Sequence, residues 1–160
     1  MNVYKLAPVP DYALLNGPDS ELLGQHIADA AKVADHAHRK QKRRFNGEPY
    51  IVHPHRVASS APLALKPLAL LHDVFEDNPE EYPEARLREL FPAWVVDRIL
   101  FLSHRPGEAY DDYILRILES GDLAVIAVKI LDLRDNLSDL KPGSLRDKYR
   151  LSLRILGEAP

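Results

Sequence analysis

The chain has 160 residues with a net charge of −3, seven His and no Cys, a length that fits one domain with its own core. Without Cys there are no disulfides, thiol nucleophiles or thiolate-held zinc or iron–sulfur centres, so a metal could draw only on imidazole and carboxylate ligands. No apolar run nears the roughly 18 residues that span a bilayer, and the mild charge gives no whole-surface attraction to nucleic acid or anionic lipid.

Asp19-Ser20-Glu21 after Gly17-Pro18 is a helix start, and Leu22, Leu23, Ile27, Ala30, Ala31, Ala34 and Ala37 recur at helical spacing. The pattern predicts a first helix running to about Arg43, stopped by Asn46-Gly47 and Pro49. A second begins near His53-Pro54, where Pro at an early helical position loses no hydrogen bond. Lys66-Pro67 opens a third, nearly all apolar through Phe75, which Asn78-Pro79 closes. Pro83 to Leu90 and Pro92 to Leu102 form two more. Tyr110 to Glu119 follows, then the strongly apolar Leu123 to Leu137, and a last helix from Ser144 to Leu156. Val125 to Ile130 alone could pass for a strand, but its length and flanks favour helix. The expectation is an all-α bundle of about eight helices in a single domain over residues 1–160, soluble and cytoplasmic, with no signal peptide at its polar start.

The two most apolar helices carry the most misplaced polar groups. In Leu70-Leu71-His72-Asp73-Val74-Phe75-Glu76-Asp77, four ionisable residues interrupt a segment that should be buried. His72 with Glu76, and Asp73 with Asp77, are one helical turn apart on neighbouring stripes. Burying three carboxylates and an imidazole together is costly unless something positive offsets them, and a divalent cation does so economically. Asp132, with Asn136 a turn later and Lys129 three residues before, repeats the anomaly, and His53 stands at the mouth of the second helix. His53, His72, Asp73 and Asp132 are therefore expected to converge on one divalent metal. This mixed ligand set suits manganese, iron or zinc rather than calcium. A lone core His is more often just hydrogen-bonded and a lone core Asp ion-paired; the joint pattern favours the metal. Of the remaining His, His38 could face the site, while His26, His36, His55 and His104 read as packing or surface residues.

Arg39, Lys40, Lys42, Arg43 and Arg44 place five cations in six residues, and removing them from the net −3 leaves −8 on the rest. An acidic body with one basic run suggests a small anionic ligand, although a solvated helix end has the same look.

His53, the His72-Asp73 doublet and Asp132 match the signature of the HD metal-dependent phosphohydrolases. Gly47-Glu48-Pro49-Tyr50-Ile51-Val52-His53-Pro54, Leu70 to Asp77, and Val128-Lys129-Ile130-Leu131-Asp132 through Asn136-Leu137 resemble, in order and spacing, the hydrolase domain of the RelA/SpoT homologues. The likeness runs over roughly residues 25–150, and with no room for a synthetase domain the chain is similar to the stand-alone small alarmone hydrolases. It implies manganese-dependent removal of the 3′-pyrophosphate of (p)ppGpp, or of the adenine analogue (p)ppApp. By this resemblance His53, His72, Asp73 and Asp132 bind Mn2+, or another divalent transition metal. Glu76 and Asp77 would position or activate the attacking water. Arg43 would stack on the base, Arg44 face the phosphates, Asn136 meet the ribose and, by a looser match, Tyr149 contact substrate. Departures lie around the pocket: Leu131 and Leu133 flank the metal Asp where small and basic residues are common, and Asn78 replaces a Thr. An extra residue at Phe45-Asn46 leaves the Arg43/Arg44 register open by one. Two alternatives share these residues: an HD phosphohydrolase of another nucleotide, and a nucleotide-binding sensor without catalysis.

Overall fold

A computed structural model describes residues 18–157 together with Leu6 and Pro8. Among the described residues nine α-helical segments follow one another: α1 (Pro18–Ala37), α2 (Val52–Ser60), α3 (Lys66–Leu71), α4 (Val74–Asp77), α5 (Glu84–Leu90), α6 (Ala93–Leu102), α7 (Tyr110–Glu119), α8 (Leu123–Asp139) and α9 (Ser144–Ile155). A single 3-10 turn, Leu63–Leu65, leads into α3. Among the described residues the only β-type pairing is an isolated bridge between Lys42 and Pro49. The fold is all-α, and counting α3 and α4 as one interrupted helix gives the expected eight.

The short α3 is the hub. Pro67, Leu68, Ala69, Leu70 and Leu71 are all buried, because α1, α2 and α6 pack around it. Small residues let α1 come close: Ala30 and Ala34 have no exposed surface. Each fully buried Leu, such as Leu68 or Leu71, contributes about 2 kcal/mol from burial. Helix α8 packs on α2, α6, α7 and α9, with Val125, Val128 and Leu133 turned inward. Its start is fixed by Asp122, whose side chain accepts from the N–H of Val125 at 3.0 Å. The same carboxylate receives the buried Arg98 of α6 at 2.6 Å, so one residue both caps α8 and ties it to α6.

Two boundaries differ from the sequence expectation. The first helix ends at Ala37, well before Arg43. Beyond it the backbone doubles back: Arg43 N–H donates to Glu48 O at 2.8 Å, and Tyr50 N–H to Gln41 O at 2.9 Å. Gly47, at φ +77°, makes the reversal. The basic run therefore lies on a folded-back loop rather than a helix end. The third helix is also interrupted. His72 Nδ1 bonds back to Ala69 O at 2.7 Å, and Asp73 sits at φ −102°, ψ −6° before α4 begins. That region of backbone space is sparsely used and often occupied by active-site residues.

Candidate active site

Three parts of the fold meet at one point: the first turn of α2, the α3–α4 break, and the middle of α8. His53 is fully buried and its Nδ1 lies 2.6 Å from Asp135 Oδ2. A carboxylate only accepts, so Nδ1 donates. His72 likewise donates from Nδ1, to the Ala69 carbonyl at 2.7 Å. Both rings thus turn Nε2 inward, and neither Nε2 has a hydrogen-bond partner although both are buried. Asp73 Oδ2 is 3.6 Å from His53 Nε2 and 3.0 Å from His72 Nε2. Asp132 Oδ1 is 3.1 Å and 3.7 Å from the same two atoms, close but not aligned as hydrogen bonds. Ligand atoms of His53, His72 and Asp73 all lie within 4.8 Å of one another. Two orphaned imidazole nitrogens beside the Asp73 carboxylate are a donor set suited to a divalent metal, with Asp132 near both nitrogens but outside that group.

The electrostatics agree. Burial alone would lower the basicity of His53, but Asp132, Asp135 and Asp73 raise its pKa to about 9. Burial opposes charge on His72 as well, and Asp73 and Asp132 hold it well above the usual imidazole range. Asp73 and Asp132 stay well below the usual carboxylate range despite burial, Asp73 through His72 and Asp132 through Lys129. Imidazoles and carboxylates thus each favour the other's charged form, and the four groups are tightly coupled.

Neighbouring groups fix the acids. Tyr50 Oη donates to Asp73 Oδ2 at 2.5 Å. Lys129 Nζ holds Asp132 Oδ2 at 2.6 Å, and Asn136 Nδ2 donates to Asp132 Oδ1 at 2.6 Å. One turn past Asp73, Glu76 Oε2 accepts from the His104 backbone N–H at 2.7 Å. Asp77 Oδ2 accepts from Gln41 Nε2 at 2.7 Å. Both carboxyls are raised above their ordinary pKa, chiefly by lost hydration and then by the charge of Asp73.

These groups open onto a cavity of about 660 Å³, inside the range of roughly 300–1,000 Å³ typical of small-ligand sites. Its lining includes the carboxylates Asp73, Glu76, Asp77, Glu108 and Asp132 and the cations Lys42, Arg43, Arg44, Lys129 and Lys148. Tyr110, Tyr113 and Tyr149 supply an aromatic wall, with Tyr149 stacked on Tyr110 at 6.0 Å between ring centroids.

Of the five clustered cations, three face this cavity. Arg39 instead pairs with Glu81 on the outside at 2.9 Å, and Lys40 does not line the pocket. Arg43 and Arg44 differ sharply. The Arg43 side chain is 2% exposed and pairs with Asp139 at 2.7 Å, while Nη2 also donates to Asn136 Oδ1 at 3.2 Å. Arg44 is exposed. His38 is buried against the Tyr50 ring, with Nδ1 2.7 Å from Gln41 Oε1 and 4.0 Å from Asp77, and is not among the residues that line the cavity. His55 pairs with Asp35 at the surface, and His36 with Tyr82. His104, read as a packing or solvent-facing residue, lines the cavity.

Sequence reasoning passed over Asp135, Tyr50, Gln41 and Arg56. The signal for Asp135 was present: Lys129, Asp132, Asp135, Asn136 and Asp139 form a polar stripe at helical spacing on α8, whose first two turns are apolar. Tyr50 and Gln41 sit on the loop whose course the first-helix assignment obscured.

No protein-family model matches the chain. A guanosine-3′,5′-bis(diphosphate) 3′-pyrophosphohydrolase of Haemophilus influenzae is 37% identical over 133 residues, covering 74% of this chain and 19% of that protein. The bifunctional (p)ppGpp synthase/hydrolase SpoT of Escherichia coli is 34% identical over 141 residues, covering 79% of this chain and 19% of that protein. The chain thus spans about a fifth of the length of these relatives. Among solved structures, one described as a metazoan ortholog of SpoT that hydrolyzes ppGpp superposes with a TM-score of 0.66 at 20% identity. That match covers 82% of this chain and 83% of the other. By sequence the chain is a homologue of the SpoT/RelA ppGpp hydrolase region, and it has the fold of the metazoan ortholog.

Proposed function

We propose that the chain is a single HD phosphohydrolase domain that removes the 3′-pyrophosphate of (p)ppGpp, giving GDP or GTP and pyrophosphate, with Mn2+ as cofactor. The adenine analogue (p)ppApp presents the same reacting group. The reaction takes place in the cytoplasm on a free nucleotide, needing neither nucleic acid nor membrane. The observation that carries this reading is the pair of buried, unpartnered Nε2 atoms of His53 and His72 facing Asp73 and Asp132 beside a cavity lined in part by cations. Sequence likeness to named pyrophosphohydrolases supports the substrate.

His53, His72, Asp73 and Asp132 would hold the metal. When bound it supplies Lewis acidity, easing deprotonation of water and polarising phosphoryl oxygens. Water oxygen bonds to the phosphorus next to the ribose 3′ oxygen, the P–O3′ bond breaks, and the 3′ oxygen takes a proton. Glu76 and Asp77, a turn beyond Asp73, hold the water and accept its proton, and their raised pKa keeps that transfer closer to neutral pH. Arg44, Lys42 and Lys148 supply counter-charge to the phosphates. Asn136 meets the ribose and Tyr149 the aromatic wall. For Arg43 to stack on a base its pair with Asp139 has to open.

The test is a substrate panel with Mn2+: ppGpp, pppGpp, ppApp, NADPH and nucleoside mono- and triphosphates, scored for pyrophosphate and phosphate. Pyrophosphate from the 3′-pyrophosphorylated purines is the expected product. Phosphate release from mono- or triphosphates alone would make it a different nucleotide phosphohydrolase, and binding without product a sensor.

A further inference from the structure

Two carboxylates from one turn of α8 flank the ring of His53, which is hydrogen-bonded through Nδ1 alone. Asp132 Oδ1 stands 3.1 Å from Nε2, and Asp135 Oδ2, three residues on, stands 2.6 Å from Nδ1. Asp135 is itself braced: Arg56 Nε donates to Oδ1 at 2.6 Å and Nη2 to Oδ2 at 3.1 Å. Arg56 comes from α2, three residues after His53, so one helix face sends both an imidazole and a guanidinium to a single carboxylate. The side chain of Asp135 is 10% exposed, which leaves water little chance to compete.

We propose that Asp135 is a positioning residue, which holds His53 with its proton on Nδ1 and thereby aims the Nε2 lone pair at the space shared with His72, Asp73 and Asp132. The inference rests on the metal-site reading above but needs no particular substrate. A carboxylate behind an imidazole fixes its tautomer and raises its basicity as a ligand, and loss of such a partner typically lowers metal affinity about 10–100-fold. His72 has no such dependence on a side chain, since its Nδ1 is held by the backbone carbonyl of Ala69. His53 is therefore the imidazole whose orientation a single substitution can release.

The experiment is Mn2+ titration of the full chain without substrate, read by electron paramagnetic resonance, for wild type, Asp135→Asn, Asp139→Asn and His53→Ala. Asp139 belongs to the same charge cluster, 2.7 Å from both Arg56 and Arg43, and serves as the control for general loosening. The expected result is at least a tenfold rise in the Mn2+ Kd for Asp135→Asn and less than twofold for Asp139→Asn. Wild-type affinity in Asp135→Asn, or equal losses in both, overturns the positioning role. Unchanged affinity in His53→Ala overturns the metal-site reading itself. Should Asp135→Asn not fold, nitrogen-15 imidazole spectra of the Zn2+-loaded wild type decide. A hydrogen-bonded proton on His53 Nδ1 supports the proposal, and its absence there refutes it.

Discussion

The backbone N–H of His104 donates to Glu76 Oε2 at 2.7 Å across 28 residues of chain, so the loop after α6 fixes the carboxylate that the proposed reaction uses on water. Glu76→Gln keeps an acceptor for that N–H but cannot take a proton. Its expected effect is a fall in kcat of about 100-fold or more, with the Mn2+ Kd unchanged. A variant that turns over at the wild-type rate would remove Glu76 from the chemistry.

The loop carrying His104 is clasped by Glu108 and Arg116. Arg116 donates to both carboxylate oxygens at 2.6 and 2.8 Å, and to the Phe101 carbonyl at 2.6 Å. Hydrogen bonding from Arg116 lowers the Glu108 pKa from 4.5 to about 2. The charged form is thus favoured in the folded state, and its contribution is complete above about pH 4.5. It fades as pH drops from there toward 2. Glu108→Gln should cost on the order of 3 kcal/mol at pH 7, since it strands a buried guanidinium. In urea titrations that gap from wild type should be constant between pH 7 and 5 and narrow below 4.5. A gap independent of pH would contradict the assigned pair.

Asp73→Asn keeps an acceptor for the Tyr50 hydroxyl while removing a charge from the centre of the site. In wild type, Mn2+ at about 100 times its Kd adds about 2.7 kcal/mol, which for a chain of this size is a Tm rise of about 5–10 °C. The variant should melt at one temperature with or without Mn2+ and release no product. A full metal-induced shift in Asp73→Asn would place the cation elsewhere.

Adjacent arginines should separate stability from binding. Arg43 is enclosed by Asp139, Asp135 and Asn136, and Arg43→Ala is expected to cost about 3 kcal/mol in unfolding free energy. Arg44 is exposed at the cavity edge, so Arg44→Ala should leave Tm nearly unchanged and raise KM about tenfold. Denaturation curves and steady-state kinetics on the two variants check the split. Equal effects of both on KM with neither on stability would refute it.

The helix pattern was readable because most elements end at Pro or Gly and bury a stripe of apolar residues at helical spacing. The metal-site candidates were readable for the opposite reason: His72, Asp73 and Asp132 interrupt runs that burial otherwise keeps apolar. Two boundaries were hidden. The apolar spacing stops at Ala37, but no Gly or Pro breaks the chain until Gly47, and the pairings of Arg43 with α8 and of Tyr50 with Gln41 that accompany the turn are not visible in the sequence. The break at His72–Asp73 depends on a side chain bonding back to Ala69, which spacing does not register. Asp135 was overlooked because its partners, His53 and Arg56, lie 82 and 79 residues away.

Those separations bear on how the molecule assembles. His53 and Asp132 come from α2 and α8, 79 residues apart in the sequence, and each meets the break between α3 and α4 at the hub of the bundle. Closing so long a stretch of chain is entropically unfavourable until the intervening helices have packed. The unfolded chain therefore offers no preformed site. An ion held there would tie α2, the α3–α4 break and α8 together and so favour the folded form. Stripping it would loosen α8 from α2 while leaving the local hydrogen bonds of each helix intact.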